Sequence, residues 1–181
     1  MNLFNLKLDP EDYQFFEKDK INYRKNYNKL ISEAQRTSKG KRCYFCKKEV
    51  SSFCNSHFIP SFCLKNITNG ELYYFNKLLN MPFMDIKKGL NNAGTFKIIC
   101  RDCDSLIFNE YENPDKYEKT PSSKMLAQIA LKNYLKYISK RFLENATYDL
   151  SSNSSDFFTV LNSEHMLDIN SLDLKEYQKG F

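Results

Sequence analysis

No stretch of the 181-residue chain comes near the ~20 consecutive apolar residues that a membrane-crossing helix requires. Its first ten residues also lack the basic-then-apolar order of a secretory leader. Membrane-spanning functions are therefore excluded from the reading, no membrane partner is expected, and the expected location is cytoplasmic. Internal repeats are missing too, which argues against a solenoid or array. Histidine is scarce, with two residues. What is present in quantity is aromatic and polar: the chain is 41% hydrophobic with 15 Phe and 12 Tyr, and its mean hydropathy is −0.60. That apolar fraction excludes a disordered chain, and the length suits one domain, or one domain with appendages.

The net charge of +5 is modest, but it is unevenly spread. Residues 1–48 hold 12 Lys and Arg against 6 acids, and the chain from Glu144 onward is acidic. A basic front half is compatible with phosphate binding, because neutralising phosphates releases condensed counterions. A solvated surface explains it equally well.

Six cysteines could be the disulfide set of a secreted protein, but four of them fall in two CxxC pairs, Cys43 with Cys46 and Cys100 with Cys103. Each knuckle can turn two sulfurs toward one point, and four thiolates suit a structural zinc ion, which prefers soft sulfur and tetrahedral closure. A redox CxxC needs no second copy, and no thioredoxin-like pattern surrounds either pair. The remaining two, Cys54 and Cys63, read as small buried hydrophobes. Cys54 stands three residues before His57, which on a strand places the two on opposite faces and argues against a catalytic pair.

Helical spacing predicts one helix or two over residues 9–33, with Asp9 as cap and Pro10 in the first turn. Residues 50–60 read as a strand ending near His57, residues 61–66 as a short helix, and residues 69–94 as an insertion with a hairpin or long loop. A second strand over residues 95–99 enters the second knuckle, and a helix is expected over residues 104–112, with Asp104 as its N-cap in the plain structural reading. The clearest helix follows, capped by Thr120 with Pro121 in first position, and apolar from Met125 through Ile129, Tyr134 and Ile138 to Phe142. Lys132, Lys136 and Lys140 recur every four residues and make a basic stripe, either a substrate contact or a wet face. After Glu144 come a Ser- and Asn-rich linker, a short strand candidate at residues 157–161, and a polar acidic tail that is either a protein-docking element or a poorly ordered terminus.

Cys43-Tyr-Phe-Cys46, Ser56-His57-Phe58-Ile59-Pro60 and Cys100-Arg-Asp-Cys103-Asp104 together resemble the zinc-bound branch of the HNH endonucleases. The resemblance implies an α+β fold with a ββα-metal core and a four-cysteine zinc site formed by residues 41–116. A helical region at residues 1–40 and a helix with tail at residues 117–181 would flank it. It implies a metal-dependent endonuclease, with DNA as the expected nucleic-acid substrate, of the kind used in restriction or phage defence.

In that family the position of His57 is the general base, a role that suits a side chain exchanging its proton near neutral pH. A Mg²⁺ or Mn²⁺ ion would offset charge on the leaving oxygen, with Asp104 as its first ligand and Asn109 or Glu112 completing the shell. The chain departs from the pattern in carrying Ser56 where an acidic ligand is common, Asp104 where Asn is usual, and a long insertion after His57. A zinc-stabilised module that binds nucleic acid or protein without cutting is the alternative, and a purely structural subunit is a third.

Overall fold

A computed structural model describes the backbone of residues 10–73, 87–152 and 163–179. Helix α1 spans Pro10–Thr37 as one element with a kink at Asp19, where the backbone leaves helical geometry (φ −125°, ψ 22°). Proline is its first residue, where a missing N–H costs nothing. The expected cap Asp9 lies outside the described residues, as does the strand expected at residues 157–161. Among the described side chains of α1, Ala34 is the buried one, and the helix packs on α4, Ser123–Ser152.

The two predicted strands shrink to a short antiparallel pair. Strand β1 (Ser56–His57) sets Ser56 opposite Phe96 and His57 opposite Thr95 of β4, Thr95–Phe96. The pairing is extended by Phe58 N–H donating to the Gly94 carbonyl at 3.0 Å. Between them come helix α2 (Ser61–Ile67), a hairpin of β2 (Glu71–Tyr73) with β3 (Lys87–Gly89), and a single 3-10 turn at Leu90–Asn92. The insertion, expected as a hairpin or a long loop, thus contains an antiparallel strand pair. Gly94 is required on two counts. Its φ is +62°, and a Cβ there would overlap the Phe58 ring.

Helix α3 spans Arg101–Ile107, three residues earlier at its start and five shorter at its end than expected. Its N-cap is Cys100, whose sulfur accepts from Cys103 N–H, so Asp104 is an interior residue and not a cap. Asp102 and Asp104 still favour the first turn by meeting the positive end of the helix dipole. Because α3 ends at Ile107, Asn109 and Glu112 lie in the turns beyond it, not along its face.

The cap of α4 is also displaced. Ser122, not Thr120, accepts the Met125 N–H at 3.0 Å, and its hydroxyl donates to Glu110 at 2.6 Å. Pro121 holds Thr120 out of helical geometry, so the helix starts after it. Nor does α4 stop near Glu144. It runs on to Ser152, and the acidic tail returns as helix α5 (Ser163–Lys179), packed along it. Arg141 explains the return: it binds Glu144 at 2.7 Å on its own helix, and Asn170 at 2.7 Å and Asp173 at 2.9 Å on α5. Tyr177 of α5 stacks parallel on Tyr137, with centroids 5.8 Å apart.

One hydrophobic cluster joins these parts. Cys43, Phe96, Ile99, Cys103 and Phe108 share it with Leu135 and Ile138 of α4. The result is a mixed, mainly helical α+β arrangement with two small antiparallel sheets. No helix among the described residues is long and apolar enough to cross a membrane.

Candidate metal centre and the adjoining ion cluster

The first knuckle is a small hairpin. Arg42 bridges Glu49, Cys43 N–H donates to the Lys48 carbonyl at 2.9 Å, and Lys47 N–H to the Cys43 carbonyl at 2.9 Å. Lys47 takes a left-handed φ of 61°, which turns the chain sharply behind Cys46. Tyr44 N–H to the Ile98 carbonyl, at 2.8 Å, ties this knuckle to the second. Consequently Cys43, Cys46, Cys100 and Cys103 place all four sulfurs within 4.8 Å of one another.

A zinc ion with bonds of about 2.3 Å separates tetrahedral sulfurs by about 3.8 Å, and Cys46 Sγ lies 3.9 Å from Cys100 Sγ. The cluster also holds the donors that thiolates need, since Cys100 N–H points at Cys43 Sγ from 3.2 Å. Burial raises the Cys43 thiol, but hydrogen bonds from the Cys100, Cys46 and Phe45 backbone and the Cys46 side chain outweigh it and bring it down to about 7. Burial and then the neighbouring thiols push Cys103 up. Four sulfurs this close cannot all carry charge without a cation between them. The donor set therefore fits a structural zinc ion.

Beside this cluster, α3 presents Asp104 to β1. Alternation along the strand turns Ser56, 1% exposed, toward the helix and His57 to the other face. Ser56 Oγ donates to Asp104 Oδ1 at 2.5 Å, and Cys54 Sγ to Oδ2 at 3.3 Å. Cys54 is thus a donor and not merely a small hydrophobe. Burial, and then the Asp104 charge, push its thiol up to about 11, which keeps the proton it donates.

The third partner of Asp104 comes from α4. Lys132 has no exposed side-chain surface. Its ammonium is 3.6 Å from Asp104 Oδ1, bonds Glu112 Oε1 more closely, and lies 4.5 Å above the Phe108 ring. It belongs to no solvated stripe. Sequence spacing carried a signal for this: the buried positions of α4 are Met125, Gln128, Lys132, Leu135 and Ile138, a regular stripe in which two members are polar. Gln128 is satisfied by the turn after α3, accepting the Tyr111 N–H at 2.8 Å and donating to Asn109 Oδ1 at 3.1 Å.

Of the proposed catalytic set, the structure brings Asp104 and Glu112 together through Lys132 and commits Asn109 to Gln128. His57 stands apart from them, half-buried, with Nε2 3.1 Å from the Leu90 carbonyl. A carbonyl only accepts, so Nε2 carries a proton in this contact, which in the neutral ring leaves the lone pair on Nδ1. Lys136, one turn after Lys132, lies 3.5 Å over the ring of Phe58, the residue that follows His57. Burial and then Lys140 lower its pKa. Among the described residues it has no carboxylate partner, whereas Lys140 pairs with Glu144 at 3.5 Å.

The donor set that would hold a catalytic divalent ion does not fit one. Both Asp104 oxygens are engaged by Ser56, Cys54 and an ammonium, and Glu112 is engaged by the same ammonium. Among the described residues, the four cysteines are the one group of three or more ligating side chains that converge. No family model matches the chain, and no curated protein or solved structure shows significant similarity to it.

Proposed function

We propose that this chain is a zinc-stapled nuclease of the HNH, or ββα-metal, type that hydrolyses phosphodiester bonds of nucleic acid, with DNA the first substrate to test. The observation that supports it most is the order strand, strand, helix: β1 with His57, β4 with the second knuckle behind it, then α3 with Asp104 tied to Ser56. In this reading His57 Nδ1 takes a proton from the attacking water while the Leu90 carbonyl fixes the ring through Nε2–H. Lys136, without a carboxylate partner among the described residues, would supply a cation to a phosphate beside it. Asp104 positions β1 through Ser56, and the zinc staple holds α3 against the strand pair. A role in restriction or phage defence belongs to this reading as its biological setting.

A second reading, a zinc-stabilised module that binds nucleic acid or a protein without cutting it, is favoured by one observation: the carboxylates expected to bind a catalytic ion already hold Lys132.

Cleavage of plasmid and single-stranded DNA and of RNA, by wild type beside His57→Ala, with and without Mg²⁺ or Mn²⁺, separates the two. Both proteins are first shown to be folded and zinc-loaded. The nuclease reading expects cutting by wild type and a loss of roughly 10²- to 10⁴-fold in the variant. Binding without cutting by either protein would replace it with the second reading.

A further inference from the structure

The chain keeps a charge of its own where a nuclease of this type would take up an ion. Lys132 reaches that place from α4, one of the most buried side chains in the protein, with Phe108 and Tyr111 rings 4.5 and 5.7 Å from its ammonium and two carboxylates around it. Mg²⁺ demands near-octahedral oxygen ligands at about 2.1 Å and gives up its waters reluctantly. Here a fixed positive charge stands 3.6 Å from the first oxygen it would need, and the serine and thiol donors of Ser56 and Cys54 already engage the Asp104 oxygens. A dication entering this cluster would have to displace a fully buried ammonium packed against the Phe108 ring.

We propose that the ammonium of Lys132 is the resident cation of the Asp104–Glu112 pair, and that this pair excludes divalent metal ions. Lys132 locks α4 to α3 by charge, and any divalent ion used in phosphodiester chemistry enters with the nucleic acid or binds elsewhere. The proposal stands on the ion cluster alone. A failed cleavage assay leaves it intact, and a metal ion found on Asp104 would overturn it whether or not the chain cuts.

The test is a Mn²⁺ titration of the zinc-loaded, ¹⁵N-labelled full chain, read as paramagnetic broadening of backbone amides. The result expected is that the amides of Asp104, Ser105 and Glu112 stay sharp up to twofold Mn²⁺ over protein. Broadening confined to amides elsewhere also supports the proposal, because the ion is then held outside the cluster. Selective broadening of those three amides, reduced at least tenfold in Glu112→Gln, would overturn it. Glu112 is a third exposed, so this variant is the one least disturbed in folding. Lys132→Arg, which keeps the charge, is expected to match wild type, and if it alone gained the Mn²⁺ effect the charge argument would fail.

Discussion

Replacing Lys132 with Met removes one charge and little volume, and so isolates the ion cluster. Its side chain is 0% exposed, that of Asp104 17% and that of Glu112 34%. Breaking a buried ion pair by deleting one partner costs about 3–5 kcal/mol, because the charge left behind is uncompensated. Two features place this site at the lower end. Glu112 can rotate toward water, and Asp104 keeps its hydrogen bonds from Ser56 and Cys54. The Met side chain retains the aliphatic packing on Phe108. The expected loss is thus about 3 kcal/mol, a large fraction of the stability of an ordinary domain. Urea denaturation of zinc-loaded wild type and variant, followed by far-UV circular dichroism, measures it as a shift in midpoint at constant slope. A loss below about 0.5 kcal/mol, the range of a surface substitution, would show that Lys132 is solvated in solution and refute the reasoning. Adding Glu112→Gln should recover part of the loss, since one of the two unpaired charges is then gone.

Three further outcomes are expected. Cys103→Ser should bind no zinc by metal analysis and lose cooperative unfolding, because structural zinc sites supply folding free energy of about 10–16 kcal/mol; retention of stoichiometric zinc would refute the four-cysteine centre. Cys54 should be alkylated about 100-fold more slowly in the native protein than in urea near pH 8, since a thiol moved from 9.0 to about 11 holds about a hundredth of the thiolate. Its pKa is raised on folding, so this contribution to stability is complete below pH 9 and fades as pH rises through about 11; site-resolved mass spectrometry showing equal rates would contradict it. Gly94→Ala should cost roughly 1–3 kcal/mol in the same urea assay, because a left-handed φ and a Cβ that overlaps the Phe58 ring both oppose it; wild-type stability would show that Phe58 can move freely beside His57.

The four-cysteine cluster was legible in the sequence because ligand chemistry is local: CxxC spacing fixes a knuckle, and the two knuckles meet through Tyr44 N–H to the Ile98 carbonyl and Cys100 N–H to Cys43 Sγ. The short helix after His57 was legible for the same reason, whereas the strand expected over residues 50–60 reduces to Ser56–His57, paired with a strand some forty residues away. The start of α3 was misread because a cysteine sulfur capped the helix in place of the Asp three residues on. Helix α5 was missed because its inward face is mixed: Asn170, 2% exposed and answered by Arg141, shares it with Leu174 and Tyr177.

Lys132 marks the boundary between the two kinds of information. Composition and spacing determined that the chain could hold zinc, that it has no membrane-spanning run, and that α4 is a long helix. Only tertiary structure decided that Lys132 faces inward, because that depends on which charged groups wait on the neighbouring elements. A lysine at a core position is costly unless carboxylates meet it, and Asp104 and Glu112 are brought there by a helix and a turn that are distant from Lys132 in sequence.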